Sequence, residues 1–149
     1  METRYKDADK RIRRMVSNMI RKEFSHLNSV NIKVILDTKP KKTQGRYRLG
    51  EMKKANDMDK FLSKSEENAF EGWHFIMILD EGLVQHAKKE DIKRVIFHEL
   101  CHAGFTDKGE CTTLPHEFEG FYMELDYNQD DPQWKERMFY ITAAAHGDE

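Results

Sequence analysis

His98-Glu99-Leu100-Cys101-His102 sets two imidazoles four residues apart with a carboxylate beside the first. On an α-helix, positions i and i+4 stand one turn apart on a single face. Both rings can therefore reach one zinc ion at ~2.0–2.1 Å while Glu99 enters the same cleft without ligating. With 7 histidines and 15 glutamates in 149 residues, the pattern is expected by accident roughly 0.03 times. The chemistry it serves is hydrolysis. With zinc bound there, a metal-held water of lowered pKa would be the nucleophile at a peptide carbonyl, and Glu99 would be the general base that takes its proton and returns it to the leaving amine.

A catalytic zinc needs a third protein ligand and an open position. The leading candidate is His116, in Leu114-Pro115-His116-Glu117-Phe118-Glu119-Gly120-Phe121, with Glu119 as the alternative and Glu117 as a further rival. Cys111 reads as a structural loop thiol, and His26, His74, His86 and His146 show no ligand spacing. A donor for the tetrahedral oxyanion is left open among Tyr122, Tyr127 and Tyr140.

These groups need a helix to hold them. Lys89-Glu90-Asp91 opens one with acids in its first turn, and the pattern runs through Ala103, with Gly104 as its C-terminal stop. At 100° per residue from Ile92, the apolar Val95, Ile96, Leu100 and Ala103 fall within about 80°, and His98, His102 and Glu99 at about 240°, 280° and 340°. The histidines thus flank a buried stripe. Upstream, Ile12, Met15, Val16, Met19, Ile20, Phe24 and Leu27 mark an amphipathic helix from Asp9 to Leu27. Val30–Leu36 and Trp73–Leu79 read as strands, the second closed by an Asp80-Glu81-Gly82 turn. A short helix is expected around Met58, Phe61 and Leu62. A loop of about ten residues then leads to a helix from Pro115 to about Tyr127, and Asp131-Pro132 caps a last helix through Ala145. The sum is an α+β fold, residues 1–149 as one domain: an N-terminal helix, a small mixed sheet of three or four strands, the motif helix and C-terminal helices.

Hydrophobic residues make up 38% and charged residues 35% of the chain, enough apolar surface for a core and too polar for a membrane protein. Two cysteines are too few for a disulfide framework and fit thiols in a reducing cytoplasm. Charge is uneven: residues 1–60 hold 17 Lys and Arg against 8 Asp and Glu, and residues 61–149 hold 8 against 19. Seven cations, Lys39, Lys41, Lys42, Arg46, Arg48, Lys53 and Lys54, cluster around an expected loop or hairpin with Arg46–Leu49 as a candidate edge strand. They form a candidate surface for nucleic acid or for an acidic protein substrate.

Trp73–Asp80, then Ile92–Gly104 with its His-Glu-Leu-Cys-His run, then His116–Phe121, resemble the phage metallopeptidase family. The resemblance covers roughly residues 30–127, including the basic Gly45–Gly50 segment. Glu117 stands where that family commonly has Asp, and Gly120 where it often has Glu. A weaker likeness to SprT-like zinc proteases rests on the same motif helix and the basic first half. The resemblance implies a compact zincin of phage or prophage origin, acting in the host cytoplasm. Zincins commonly align substrate as an added strand on a sheet edge, for which Trp73–Leu79 or the Arg46 segment is the candidate. The rival function is a non-catalytic zinc-containing protein that binds nucleic acid or an acidic protein through its basic N-terminal half.

Overall fold

Apolar side chains at every second position of two extended segments, and at helical spacing in two others, define the two layers of the molecule. The computed structural model describes residues 3–64, 71–117 and 120–147. In chain order the elements are β1 (Tyr5–Asp7), α1 (Lys10–Glu23), a 3-10 turn (Ser25–Leu27), β2 (Ile32–Asp37), β3 (Lys42–Thr43), β4 (Arg46–Tyr47), β5 (Gly50–Lys54) and α2 (Asp57–Ser63). Then follow β6 (Phe75–Asp80), α3 (Glu81–His86), α4 (Lys89–Cys101), β7 (Ala103–Phe105), β8 (Cys111–Thr113), α5 (Tyr122–Tyr127) and α6 (Trp134–Ala145). This is an α+β fold with a mixed four-stranded sheet of order β1-β2-β6-β5, parallel only between β2 and β6.

Strand parity decides which residues meet the helices. Val34 and Leu36 of β2, Phe75, Met77 and Leu79 of β6, and Met52 of β5 share the face that packs on α1 and α4. There they join Ile12, Met15, Val16, Met19, Ile92, Val95, Ile96 and Leu100 in the core. Asp9 caps α1 by accepting the Ile12 N–H at 2.9 Å, satisfying one of the donors a helix start leaves open. At the far end of α4, buried Asp91 takes Arg137 of α6 at 3.0 Å, while Arg94 reaches Asn128 and Asp130 at 2.8 and 2.9 Å. These charge-assisted bonds fix α4 against α6 and the 128–131 turn.

The structure departs from the sequence expectations in the short elements. Trp73–Leu79 lies in the sheet interior as β6, so it offers no edge; β1 and β5 are the outer strands, and the Arg46 segment pairs separately with β3. Asp80 opens a short helix instead of a turn, because its carboxylate accepts the Leu83 N–H at 3.0 Å and Leu83 and Val84 are buried. The helix expected from Pro115 begins only at Tyr122, and the last helix begins at Trp134. Gly104 does not stop α4, which ends at Cys101, two residues before the expected Ala103; it lies inside β7, paired with Thr112 of β8. A Cβ there would meet the Leu114 side chain at 2.6 Å, so any substituent must push that exposed side chain aside.

Candidate metal centre

The last turns of α4 present His98 and His102, both half-buried, with Glu99 buried between the helix and the sheet. The β7–β8 hairpin then folds the chain back onto the helix end. There the Leu114 N–H donates to the His102 carbonyl at 2.6 Å, and the Leu114 carbonyl accepts from His102 Nδ1 at 2.6 Å. A carbonyl only accepts, so Nδ1 carries the proton and Nε2 keeps its lone pair. Glu124 does the same for the other ring. Its Oε1 lies 2.8 Å from His98 Nδ1 and also accepts the Phe121 N–H at 3.0 Å, as the third residue of α5 reaching back to the helix start. Two residues beyond Leu114, His116 places its Nε2 3.0 Å from His98 Nε2.

One donor nitrogen from each of His98, His102 and His116 lies within 4.8 Å of the others. Three nitrogens on a tetrahedral zinc stand ~3.3–3.4 Å apart, given bonds of ~2.0–2.1 Å; the His98–His116 pair at 3.0 Å is close to that spacing, and the other two pairs lie within 4.8 Å. The donor set therefore fits a metal of zinc's preferences. Burial lowers the pKa of His102 and of His116, and for His116 the neighbouring imidazoles act in the same direction, so both are held neutral as ligands must be. Burial raises Glu99 to about 7. His98 opposes that shift, while the Glu124 and Glu51 carboxylates reinforce it. Burial likewise keeps the Cys101 thiol protonated.

A cleft runs past this cluster on both sides. One side, about 420 Å³, is walled by Gly50–Met52 and Thr113–Pro115; the other, about 530 Å³, reaches Arg46, Tyr47, Trp134 and Phe139. Gly50, His98, Glu99 and His116 line both. Gly50 is the close approach: a Cβ on it would stand 3.1 Å from Glu99 Cγ and from the Ile78 carbonyl.

Of the residues expected from sequence, His98, Glu99, His102 and His116 come together, although His116 sits in irregular chain and not at a helix start. Glu117 turns away and accepts the Tyr122 N–H at 3.0 Å; Glu119 lies outside the described residues. Tyr122, Tyr127 and Tyr140 do not line the cleft. Much of the basic segment is engaged: Arg48 bonds to buried Asp37 and, at 3.1 Å, to Glu51. Arg46 lies over the Phe139 ring and 3.7 Å from Glu136, and Lys41 lies 3.7 Å from Glu51. Sequence reasoning missed three participants: Glu124, the Leu114 carbonyl, and Phe121, whose ring packs edge-on within 5.6 Å of all three imidazoles. Glu124 was findable as an acid at the third position of a helix, once the helix start was known.

Fold and site together define a single α+β unit with a three-histidine candidate metal centre at the end of its central helix. The chain belongs to the family described as "Putative phage metallopeptidase", whose model matches residues 3–141. No curated protein and no solved structure matches it. Among the described residues no helix is long and apolar enough to cross a membrane.

Proposed function

We propose that the chain is a zinc-dependent metallopeptidase cleaving a peptide bond in a protein substrate, with His98, His102 and His116 as ligands and Glu99 as general base. The observation that carries this reading is the convergence of three imidazole nitrogens beside a buried carboxylate in a cleft open on both sides. Zinc in such a site supplies a Lewis acid that polarises a carbonyl and lowers the pKa of water.

The chain's own residues supply the rest. Glu124 and the Leu114 carbonyl hold the ligand rings in the tautomer that leaves Nε2 available. Glu99, buried and free of any ligand role, accepts a proton from the attacking water and delivers it to the departing amine. Gly50, Glu51 and Met52 of β5 line the cleft, and the missing side chain of Gly50 lets an extended substrate segment pass close to Glu99. A purely structural zinc site is closed by four ligands and has no use for a buried carboxylate beside them.

The test is metal analysis of the purified chain and of Glu99→Gln, followed by proteomic mapping of new N-termini in cells expressing each. Wild type should hold one zinc and generate new N-termini, and Glu99→Gln should hold zinc and generate none. Equal cleavage by both, or a wild type that carries zinc and cleaves nothing, refutes the reading.

A further inference from the structure

A separate cleft of about 540 Å³ lies between α1 and the N-terminal half of α4, and it shares no lining residue with the cleft around the histidines. Lys10, Arg11, Arg14 and Lys22 line it from α1, and Lys89 and Lys93 from α4. Glu23 is the only carboxylate in its walls; Met15 and Met19 lie beneath, and Asn18 and Tyr127 add an amide and an aromatic ring. None of these six cations forms an ion pair among the described residues. Four arginines outside this cleft, Arg4, Arg48, Arg94 and Arg137, are bonded to carboxylates, whereas these six share a groove that holds one acid. Six like charges facing one another across a groove repel, and an anion laid between them relieves that repulsion.

We infer that this cleft binds the phosphate backbone of a nucleic acid. From Lys10 to Lys22 the cations follow α1 for ~18 Å at ~1.5 Å per residue. That length spans about five base-pair steps of a duplex, whose axial rise is ~3.4 Å. Two of the six are arginines, whose planar forks match phosphate oxygens bidentately. A backbone that carries a charge on every unit can meet cations on both walls of the groove at once, which scattered carboxylates of an acidic protein do less readily. Lys89 and Lys93 stand at the opposite end of α4 from His98 and His102, so a bound strand leaves the metal centre open. The inference does not depend on the peptidase reading.

The experiment is fluorescence anisotropy of labelled single-stranded and duplex oligonucleotides titrated with the purified full chain at 50 and 200 mM salt. Binding to at least one form should weaken steeply with salt. Arg14→Glu/Lys22→Glu/Lys93→Glu should lower affinity at least ~tenfold at the lower salt and flatten the log–log salt slope by about 2, as expected for three lost phosphate contacts on a single strand. Zinc content and melting temperature should stay as in wild type. Should that variant fail to fold, Arg14→Gln/Lys22→Gln/Lys93→Gln decides, with a smaller loss in the same direction. Lys39→Glu/Lys53→Glu, in the other basic segment, should bind nearly as wild type does. Four results would overturn the inference: no binding to either oligonucleotide at 50 mM salt, unchanged affinity in the cleft variants, an equal loss in Lys39→Glu/Lys53→Glu, or displacement of the oligonucleotide by poly-glutamate at equal charge concentration.

Discussion

Glu99 occupies surroundings that oppose its own charge. In the metal-free chain burial raises its pKa to about 7, well above an unfolded carboxylate. An acid whose folded pKa exceeds its unfolded value stabilises the fold below the unfolded pKa, and that contribution is lost as pH rises through the folded one. Metal-free Glu99→Gln should therefore melt above metal-free wild type at pH 8, by the equivalent of about 3 kcal/mol at most, and close to it near pH 4.5. Thermal melts at the two pH values check this, and a gap independent of pH would contradict it. With substrate, the same substitution should cost about 10²- to 10⁴-fold in turnover while zinc is retained. Glu124 makes a different prediction. Glu124→Ala removes the acceptor that orients His98 and should weaken zinc binding about 10- to 100-fold, and Glu124→Gln, which keeps an acceptor oxygen, should lose less. A chelator competition on the three proteins measures that order. His98, Glu99 and His102 were legible because helical spacing alone places them together. Glu124 and Phe121 were not, because their contacts with the rings depend on where α5 begins, and no local pattern marks that start.

At the scale of elements, periodicity carried the long segments and failed on the short ones. The stripe of Ile12, Met15, Val16 and Met19, the apolar run of β6 and the buried face of α4 are strong because each repeats several times. Strands of three residues, such as β7 and β8, contain too few positions for any period to show, and their pairing across five intervening residues is tertiary information. Yet this hairpin delivers the third imidazole. Its weak point is Gly104, where an added Cβ would collide with Leu114 Cδ1 and Cγ at 2.6 and 2.9 Å. Gly104→Ala forces the exposed Leu114 side chain aside, so zinc affinity should fall, but by less than in Glu124→Ala, while the core and the far-ultraviolet spectrum persist. Gly104→Ala/Leu114→Ala removes the clash and keeps the carbonyl, so affinity should recover. A double variant as weak as the single one would show that the hairpin does not act through Leu114.

Across the whole molecule two carboxylates on opposite faces of the sheet pull stability in opposite directions with pH. Asp37 is fully buried, which by itself raises its pKa, but Arg4 at 2.9 Å, the Lys39 N–H at 3.0 Å and Arg48 outweigh burial and hold it below the usual range. Its stabilisation is present above the unfolded pKa of ~3.9 and is lost as pH falls through the folded value. Glu99 has the opposite sign, losing its contribution as pH climbs toward about 7. Taken together these two carboxylates favour mildly acidic solution, while His102 and His116, whose pKa burial lowers, add stability as pH rises through the imidazole range. Zinc changes the alkaline side of that profile, because a cation beside Glu99 compensates its charge and because the imidazoles accept a metal only when deprotonated. The gain in melting temperature on adding zinc should be small at pH 5 and grow toward pH 8, reaching the equivalent of about 2.7 kcal/mol when free zinc is 100-fold above Kd. His116→Ala should abolish most of that gain at every pH. Differential scanning fluorimetry with and without zinc from pH 5 to 8 measures it, and a gain that is flat with pH, or intact in His116→Ala, would separate the metal from the three-histidine cluster.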